Sequence, residues 1–183
     1  MSIVVEKLEI PDVLLIKPNV FGDVRGFFME SFNVEELKKY GIDSQFVQDN
    51  HSRSGKSVIR GLHFQSKKPQ GKLVRVTRGS VFDVAVDVRP GSPTFGQHVS
   101  QVLSEENFLQ MYIPAGFAHG FCTLSDVVDF QYKVTDYWDP EDEHGIIWND
   151  PELNIKWPLG NEKPVLSDKD SSFDVLSKIE SQL

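Results

Sequence analysis

His63 is the first residue whose type and setting suit chemistry, in the segment Arg-Gly-Leu-His-Phe-Gln at residues 60–65. Successive side chains of a strand point to opposite faces, so His63 shares its face with polar Gln65. The opposite face would carry Arg60, Leu62 and Phe64. An unperturbed histidine has a pKa of about 6.5 and can act as a general base near neutral pH. A histidine that only makes hydrogen bonds within the sheet is the alternative interpretation.

A second histidine, His119, ends the pattern Pro-x-Gly-x-x-His at residues 114–119, which is typical of a turn that enters a strand. The pattern resembles the second sequence motif of cupins, and in metal-binding cupins this histidine is a ligand. The first cupin motif would supply His-x-His, but here Gln65 stands two residues after His63. A catalytic metal usually has about three protein ligands, so we expect no metal site. For His119, a contact with a ligand and a hydrogen-bonded turn histidine both stay open.

Several basic residues lie among polar neighbours despite an acidic composition: Arg25, Arg60, Lys72 and Lys169. Arginine binds phosphate oxygens in a bidentate manner and lysine adds a point charge, so together they could hold a diphosphate. Scattered surface charge is the alternative, because their convergence depends on the fold. No glycine-rich phosphate loop competes, since Gly-x-x-x-Gly at residues 22–26 lacks the Gly-Lys-Ser/Thr ending.

Two aromatic residues in the segment 130–138 could also contact a ligand. Tyr132 can donate a proton if a partner tunes its phenol, and the indole of Trp138 can stack on a flat base. Aromatic packing in the core or at a rim is the alternative for both. Nucleophilic catalysis is not indicated, because no Gly-x-Ser-x-Gly motif is present and Cys122 follows an apolar residue without an obvious activating partner.

Length and composition fit one domain over residues 1–183. The chain carries 19 basic and 27 acidic residues, a formal net charge of −8, which argues against a general nucleic-acid binder. A single cysteine excludes an internal disulfide framework and a multi-cysteine zinc site. Residues 1–10 lack the apolar centre of a signal peptide, and no segment approaches the roughly 20 apolar residues of a membrane span. We therefore expect a cytoplasmic protein with no membrane role.

Short apolar segments separated by Pro and Gly predict many strands in one antiparallel all-β domain. The clearest prediction is a hairpin within residues 72–89, in which strands 73–76 and 81–88 flank a turn at Arg78-Gly79-Ser80. In the second strand the apolar positions alternate with Asp83 and Asp87. Further strands are predicted at residues 3–10, 13–17, 26–32, 45–53, 58–64, 98–103, 110–113, 118–124 and 127–135.

Two helices are predicted as well. The first covers residues 34–40, with Asn33 as its N-cap and Gly41 as its stop signal. The second covers residues 172–182, where Phe173, Leu176 and Ile179 share one stripe. The number and length of the strands fit an antiparallel sandwich or jelly roll with a few short helices and a pocket between its sheets. The pattern does not determine the strand order.

Eight segments, taken in order, resemble the dTDP-4-dehydrorhamnose 3,5-epimerase family of cofactor-independent cupins. They include Phe-Gly-Asp-Val-Arg-Gly-Phe-Phe-Met-Glu at residues 21–30, Gln-Asp-Asn-His-Ser at 48–52 and the segment around His63 at 59–65. The others lie at 70–76, 82–89, 114–121, 148–151 and 166–170. Each segment is weak evidence alone, but their order over most of the chain is specific. The resemblance implies a jelly-roll fold that needs no cofactor and no metal.

The resemblance also implies a role for each matching residue. His63 would be the general base and Asp170 its partner. Tyr132 would be the general acid, and Lys72 would stabilise the enolate oxygen. Trp138 would stack on thymine, at a position where the family commonly has Tyr. The substrate-binding positions would be Arg25, Glu30, Gln48, Asn50, Arg60, His119, Glu143 and Lys169. A homodimer is implied too, in which Arg25 and Glu30 would serve the partner's site.

The implied reaction is epimerisation at C3 and C5 of dTDP-4-dehydro-6-deoxy-D-glucose, which gives dTDP-4-dehydro-L-rhamnose. One ketone at C4 acidifies the hydrogens on both carbons, so one base and one acid on opposite faces of the sugar suffice. The nearest alternative is an epimerase or ketoisomerase that acts at a single centre or on a related nucleotide sugar. A metal-dependent cupin enzyme and a nucleotide-sugar binding module are more distant possibilities.

Overall fold

The computed structural model describes residues 2–179, in which strands form most of the regular structure. In chain order the strands are β1 (Val4–Lys7), β2 (Leu14–Lys17), β3 (Val20–Asp23), β4 (Gly26–Met29), β5 (Gln48–Ser54), β6 (Ile59–Gln65), β7 (Lys72–Arg78), β8 (Ser80–Asp87), β9 (His98–Ser104), β10 (Gln110–Ile113), β11 (Phe117–Thr123), β12 (Val128–Val134) and β13 (Glu143–Gly145). The short helices of this range are α1 (Val34–Lys38), α2 (Asp168–Ser172) and α3 (Leu176–Ile179).

The strands form two large sheets and a separate ribbon. The six-stranded sheet has the order β1-β2-β10-β7-β12-β5, and the five-stranded sheet has the order β13-β6-β11-β8-β9. Strands β3 and β4 pair only with each other within the described chain and form the ribbon. The pairs in both sheets are antiparallel. The prediction of an antiparallel all-β jelly roll with a few short helices is confirmed.

Apolar side chains pack against both faces of the five-stranded sheet. Between the two sheets, Val74 and Phe130 belong to the same buried cluster as Ala85 and Phe117. A second cluster covers the other face of β6 and β8, with Leu62, Val84, Val86, Ile146, Leu176 and Ile179. Each fully buried aliphatic or aromatic side chain contributes about 1.5–3 kcal/mol relative to an exposed one. The strands that carry His63 and His119 therefore rest on a densely packed support.

The predicted hairpin of residues 72–89 is wrong in its pairing. Both strands form, but β7 pairs with β10 and β12, whereas β8 pairs with β9 and β11. The turn between them carries the chain from one sheet to the other. Gly79 has a φ of +74° in this turn, and a Cβ there would lie 2.3 Å from the carbonyl oxygen of Val127. The glycine that suggested a hairpin therefore serves a sharp crossing between sheets.

The predicted helix at residues 172–182 is also wrong, and its part beyond residue 179 lies outside the described residues. The chain forms α2, becomes extended at Phe173 and then forms α3. The break has a packing reason. The ring of Phe173 lies against Gly145 and His63, whereas Leu176 and Ile179 pack in the second cluster. A continuous helix would present all three side chains in one direction.

The first predicted helix is confirmed as α1. The side chain of Asn33 caps it by accepting hydrogen bonds from the backbone N–H groups of Glu35 and Glu36, and Gly41 follows with a φ of +83°. Three short elements, β3, β13 and α2, were not predicted. They have four, three and five residues. Their sequences, Val-Phe-Gly-Asp, Glu-His-Gly and Asp-Lys-Asp-Ser-Ser, do not show a repeating hydrophobic pattern.

Candidate active site

A cavity of about 280 Å³ opens between the two sheets and collects most of the residues singled out from the sequence. His63 and His119 line it from the five-stranded sheet, and Lys72 and Tyr132 line it from the six-stranded sheet. The cavity is also lined by Arg60, Trp138 and Glu143, which the sequence pointed to as well. The site is therefore built from strands of both sheets rather than from one loop.

Strand pairing fixes where these side chains stand. His63 lies opposite His119 on one neighbouring strand and opposite Gly145 on the other. Tyr132 of β12 lies opposite Asn50 of the edge strand β5. His119 therefore lies within strand β11, and the interpretation of a turn histidine is wrong.

The predicted alternation along β6 is wrong at Arg60. Arg60 and His63 both line the cavity, whereas Leu62 packs in the second cluster. The strand is irregular at Gly61, whose φ is +123° and whose Cβ would lie 2.5 Å from the Cα of Gly120. The register of β6 on β11 shifts at the same place. This irregularity brings a guanidinium and an imidazole to the same cavity.

The imidazole of His63 is held by a carboxylate. Its Nε2 lies 2.5 Å from Oδ1 of Asp170, which α2 brings to the site. The backbone N–H of Asp170 donates to the capping Ser167 side chain at 3.0 Å. Burial alone would raise the pKa of Asp170, but the hydrogen bond and charge of His63, together with the Ser167 hydroxyl and the charge of Arg60, lower it overall. The ionised carboxylate orients the ring.

Phe173 completes the support of this histidine. Its ring packs edge-on against the imidazole of His63, with ring centroids 5.6 Å apart. Phe173 follows α2 directly, so the same chain segment supplies both a carboxylate and an aromatic contact. From the sequence, Phe173 was predicted only to lie on the apolar stripe of a helix, with no contact to the site.

Lys72 is buried beside the histidine. Its ammonium donates a hydrogen bond to the backbone carbonyl oxygen of His63 at 3.2 Å. Burial lowers the pKa of Lys72 to about 8, and the negative charges of Asp83 and Glu143 oppose that shift. The side chain therefore carries its positive charge at neutral pH, and because it is buried, water screens its effect on a nearby anion only weakly.

Tyr132 is partly buried on the opposite sheet. Burial raises the pKa of its phenol, Glu143 raises it further, and Arg60 opposes the shift. The phenol is therefore neutral over the physiological pH range and carries a proton that it can donate. Its ring lies near Phe130, with centroids 6.0 Å apart.

His119 has a partner that sequence reasoning missed. Its Nε2 lies 3.0 and 3.1 Å from the two carboxylate oxygens of Asp83, a residue of β8 with no exposed surface. Burial lowers the pKa of His119, and Asp83 opposes this shift. Asp83 alternates with apolar residues along its strand, and that polar–apolar alternation is the signal that could have marked it.

Five predicted binding residues form a network at the cavity rim. The amide of Gln48 donates to Asn50 at 2.9 Å and accepts from the backbone N–H of Trp138 at 3.2 Å. The indole N–H of Trp138 donates to Glu143 at 3.0 Å, and the ammonium of Lys169 lies 2.6 Å from the same carboxylate oxygen. The indole face remains exposed to solvent.

Sequence similarity decides the family. The family model described as dTDP-4-dehydrorhamnose 3,5-epimerase matches residues 7–178. The chain belongs to this family. A dTDP-4-dehydrorhamnose 3,5-epimerase from Pseudomonas aeruginosa is 61% identical over 165 residues, which cover 90% of this chain and 91% of the relative.

Solved structures of similar proteins agree with the fold. The dTDP-6-deoxy-D-glucose-3,5-epimerase of Legionella pneumophila, in complex with dTDP-4-keto-L-rhamnose, has a TM-score of 0.96 and 52% identity, covering 99% of this chain and 96% of that one. The 3'-monoepimerase ChmJ of Streptomyces bikiniensis, in complex with dTDP-quinovose, has a TM-score of 0.90 and 32% identity, covering 97% and 90%.

Two residues that the family resemblance assigns to substrate binding lie elsewhere. Arg25 is in the turn of the β3–β4 ribbon, where its exposed guanidinium pairs with Asp23. Glu30 follows the ribbon and accepts a hydrogen bond from Asn33 at 3.0 Å. Neither residue lines the cavity of its own chain.

Residues 2–179 contain no group of three His, Cys, Asp or Glu side chains placed to hold a metal ion. Within the same range, no helix is long and apolar enough to cross a membrane.

Proposed function

We propose that this chain epimerises C3 and C5 of dTDP-4-dehydro-6-deoxy-D-glucose to give dTDP-4-dehydro-L-rhamnose. One observation carries the proposal: His63, backed by Asp170, lines the same cavity as Tyr132 and Lys72. These groups provide a base, an acid and a cation, which are the groups that proton exchange beside a ketone requires. The identity of the substrate is inferred from the names of the related proteins.

In the proposed first step His63 removes the proton from C3 or C5. The electrons of that C–H bond form a carbon–carbon double bond to C4, and the carbonyl electrons move onto the C4 oxygen. Lys72 stabilises the resulting enolate oxygen, and Asp170 stabilises the imidazolium. Tyr132 then donates its phenolic proton to the same carbon from the other face, which restores the ketone with inverted configuration.

One round leaves His63 protonated and Tyr132 as a phenolate. Loss of a proton from the imidazolium to water and gain of one by the phenolate restore both groups, so the proton count balances. In a glucose-like chair the hydrogens of C3 and C5 point to one face, so the same groups can serve the second carbon. Each positioned acid or base typically contributes about 10²–10⁴-fold, and an oxyanion donor contributes about 2.7–4 kcal/mol.

The rest of the substrate would bind at the rim. The exposed indole of Trp138 offers a face for the thymine ring, and Glu143 fixes that indole through its N–H. Arg60 and Lys169 provide positive charge for the diphosphate. We assign the polar contacts with sugar and nucleotide to the remaining predicted residues near the cavity, Gln48, Asn50 and His119.

Product stereochemistry tests the proposal. We expect NMR of the product formed from dTDP-4-dehydro-6-deoxy-D-glucose to show inversion at both carbons. Inversion at one carbon would overturn double epimerisation and favour a monoepimerase, a function that one similar structure carries by name. Binding of the nucleotide sugar with no conversion and no proton exchange would favour a binding module instead.

We infer that two copies of this chain associate through the β3–β4 ribbon. The ribbon exposes Phe21, Phe27 and Phe28, each with 50–61% of its surface accessible. Phe21 and Phe28 lie directly opposite each other in the ribbon, and exposed apolar side chains that adjoin in this way mark interaction sites. Arg25 sits at the tip of the same ribbon, outside its own cavity, where it could reach a neighbouring copy. Analytical ultracentrifugation should give twice the chain mass, and a monomer at assay concentration would contradict the inference.

A further inference from the structure

Asp83 is a charged residue beneath the cavity that the proposed mechanism does not use. It lies on β8 with no exposed surface, and it does not line the cavity. Its side chain faces the space between the sheets, because the neighbouring Val84 packs in the cluster on the other side of β8. A buried carboxylate needs a partner to offset its lost hydration, so its contacts show what it is positioned to do.

The carboxylate of Asp83 binds one ring nitrogen of His119. Both of its oxygens lie within 3.1 Å of Nε2, so this nitrogen carries the hydrogen and donates it. The other ring nitrogen, Nδ1, is then an acceptor in the neutral ring. The ring of His119 is also stacked near Phe130, with centroids 6.0 Å apart. These contacts hold the imidazole in one orientation at the cavity wall.

We propose that Asp83 is a positioning residue of the active site, which fixes the tautomer and orientation of His119. It acts through His119 and does not touch the substrate. This inference rests on the proposed function for its kinetic consequences, but the tautomer of His119 is independent of any activity.

Several charged groups surround His119 and Lys72. Lys72 faces Asp83 from β8 and Glu143 from β13, and both raise its pKa against the effect of burial. His119 faces Asp83, Lys72 and His63, and the latter two lower its pKa. The carboxylate of Glu143 also pairs with Lys169 and accepts a hydrogen bond from the indole of Trp138. Asp83 is therefore the negative charge common to Lys72 and His119.

The variant D83N separates charge from shape, because asparagine keeps the size and can still accept the hydrogen bond from His119. We expect D83N to keep the hydrogen on Nε2 of His119 in nitrogen-15 NMR and to keep KM close to the wild-type value.

The variant D83A removes the hydrogen bond that holds His119. We expect KM to rise several-fold, because His119 loses its fixed orientation, and we expect the conservative D83N to avoid this rise. A purely structural role would lower the unfolding temperature without raising KM.

Asp87 provides a matched control on the same strand and the same face. It is also a fully buried carboxylate, but it binds Arg89, Ser92 and Thr94 instead of residues of the cavity. We expect D87A to lower stability and to leave KM at its wild-type value. A KM that is the same in D83A, D87A and the wild type would overturn the positioning role of Asp83.

Nitrogen-15 NMR of the wild-type protein tests the tautomer directly and needs no variant to fold. We expect His119 to be neutral at pH 7 with its hydrogen on Nε2. A hydrogen on Nδ1 would overturn the positioning role. If the protein failed to epimerise the sugar but showed this tautomer, the proposed function would fall while the contact with His119 stood.

Discussion

Asp170 reaches the cavity only through His63, so its substitution tests the partner of the base without changing the cavity wall. We expect D170N to lower kcat by about 10²–10⁴-fold, because the neutral amide no longer favours the imidazolium. The matched control is D168N, which replaces an exposed carboxylate on the same helix. Steady-state kinetics and thermal unfolding should show normal activity in D168N. Equal activity of the two variants would contradict the role of Asp170.

Some residues of the site could be predicted from the sequence, and others could not. His63 stands in a segment that matches a family, and the same resemblance implies a role for Tyr132, so the family pattern was enough to predict that both residues serve one site. Asp83 stands in a matching segment too, but its partner His119 follows 36 positions later. Contacts over such a distance depend on the strand order, which the hydrophobic pattern does not contain. The pair was therefore missed.

Strand β13 and helix α2 are coupled at one glycine. Gly145 lies opposite His63, and a Cβ on it would lie 2.4 Å from the ring of Phe173. We expect G145A to displace this ring together with the adjacent helix that carries Asp170. The expected loss of stability is about 1–3 kcal/mol, as for other overpacked sites.

The control for this prediction is G55A. A Cβ at Gly55 would lie 4.0 Å from its nearest neighbour, the backbone oxygen of Asp126, so the methyl group fits. The free energy of unfolding, measured with denaturant, and kcat should both fall in G145A. Both should stay near the wild-type values in G55A. A fully active G145A would show that the helix can move without loss of activity. That result would contradict the role of Phe173 as a support for His63.

Elements were predictable where a pattern runs long enough. Most strands of the two sheets were found within a few residues, because β-branched and aromatic residues recur with the period of a strand. The pairing of β7 with β8 was wrong because Gly79 suits a hairpin and a crossing between sheets equally well. The C-terminal helix was wrong because Phe173 packs against Gly145 and His63, apart from Leu176 and Ile179.

The whole molecule presents an apolar ribbon away from its cavity, and this arrangement predicts shared sites in a homodimer. In a mixture of R25A and H63N chains, each mixed dimer would have one intact site, built from His63 of one chain and Arg25 of the other. We expect about one quarter of wild-type activity, because half of randomly formed dimers are mixed. Activity no higher than that of the two separate variants would indicate that each cavity is complete within one chain.

Proton exchange in heavy water tests the central claim most directly. With dTDP-4-dehydro-6-deoxy-D-glucose, the wild-type protein should place deuterium at C3 and C5 as it forms the product. H63N should lose exchange at both carbons by orders of magnitude, whereas Y132F should still exchange deuterium but without inversion, because the base remains and the acid is gone. Wild-type exchange rates in H63N would contradict the account of an imidazole and a phenol acting on opposite faces of one sugar.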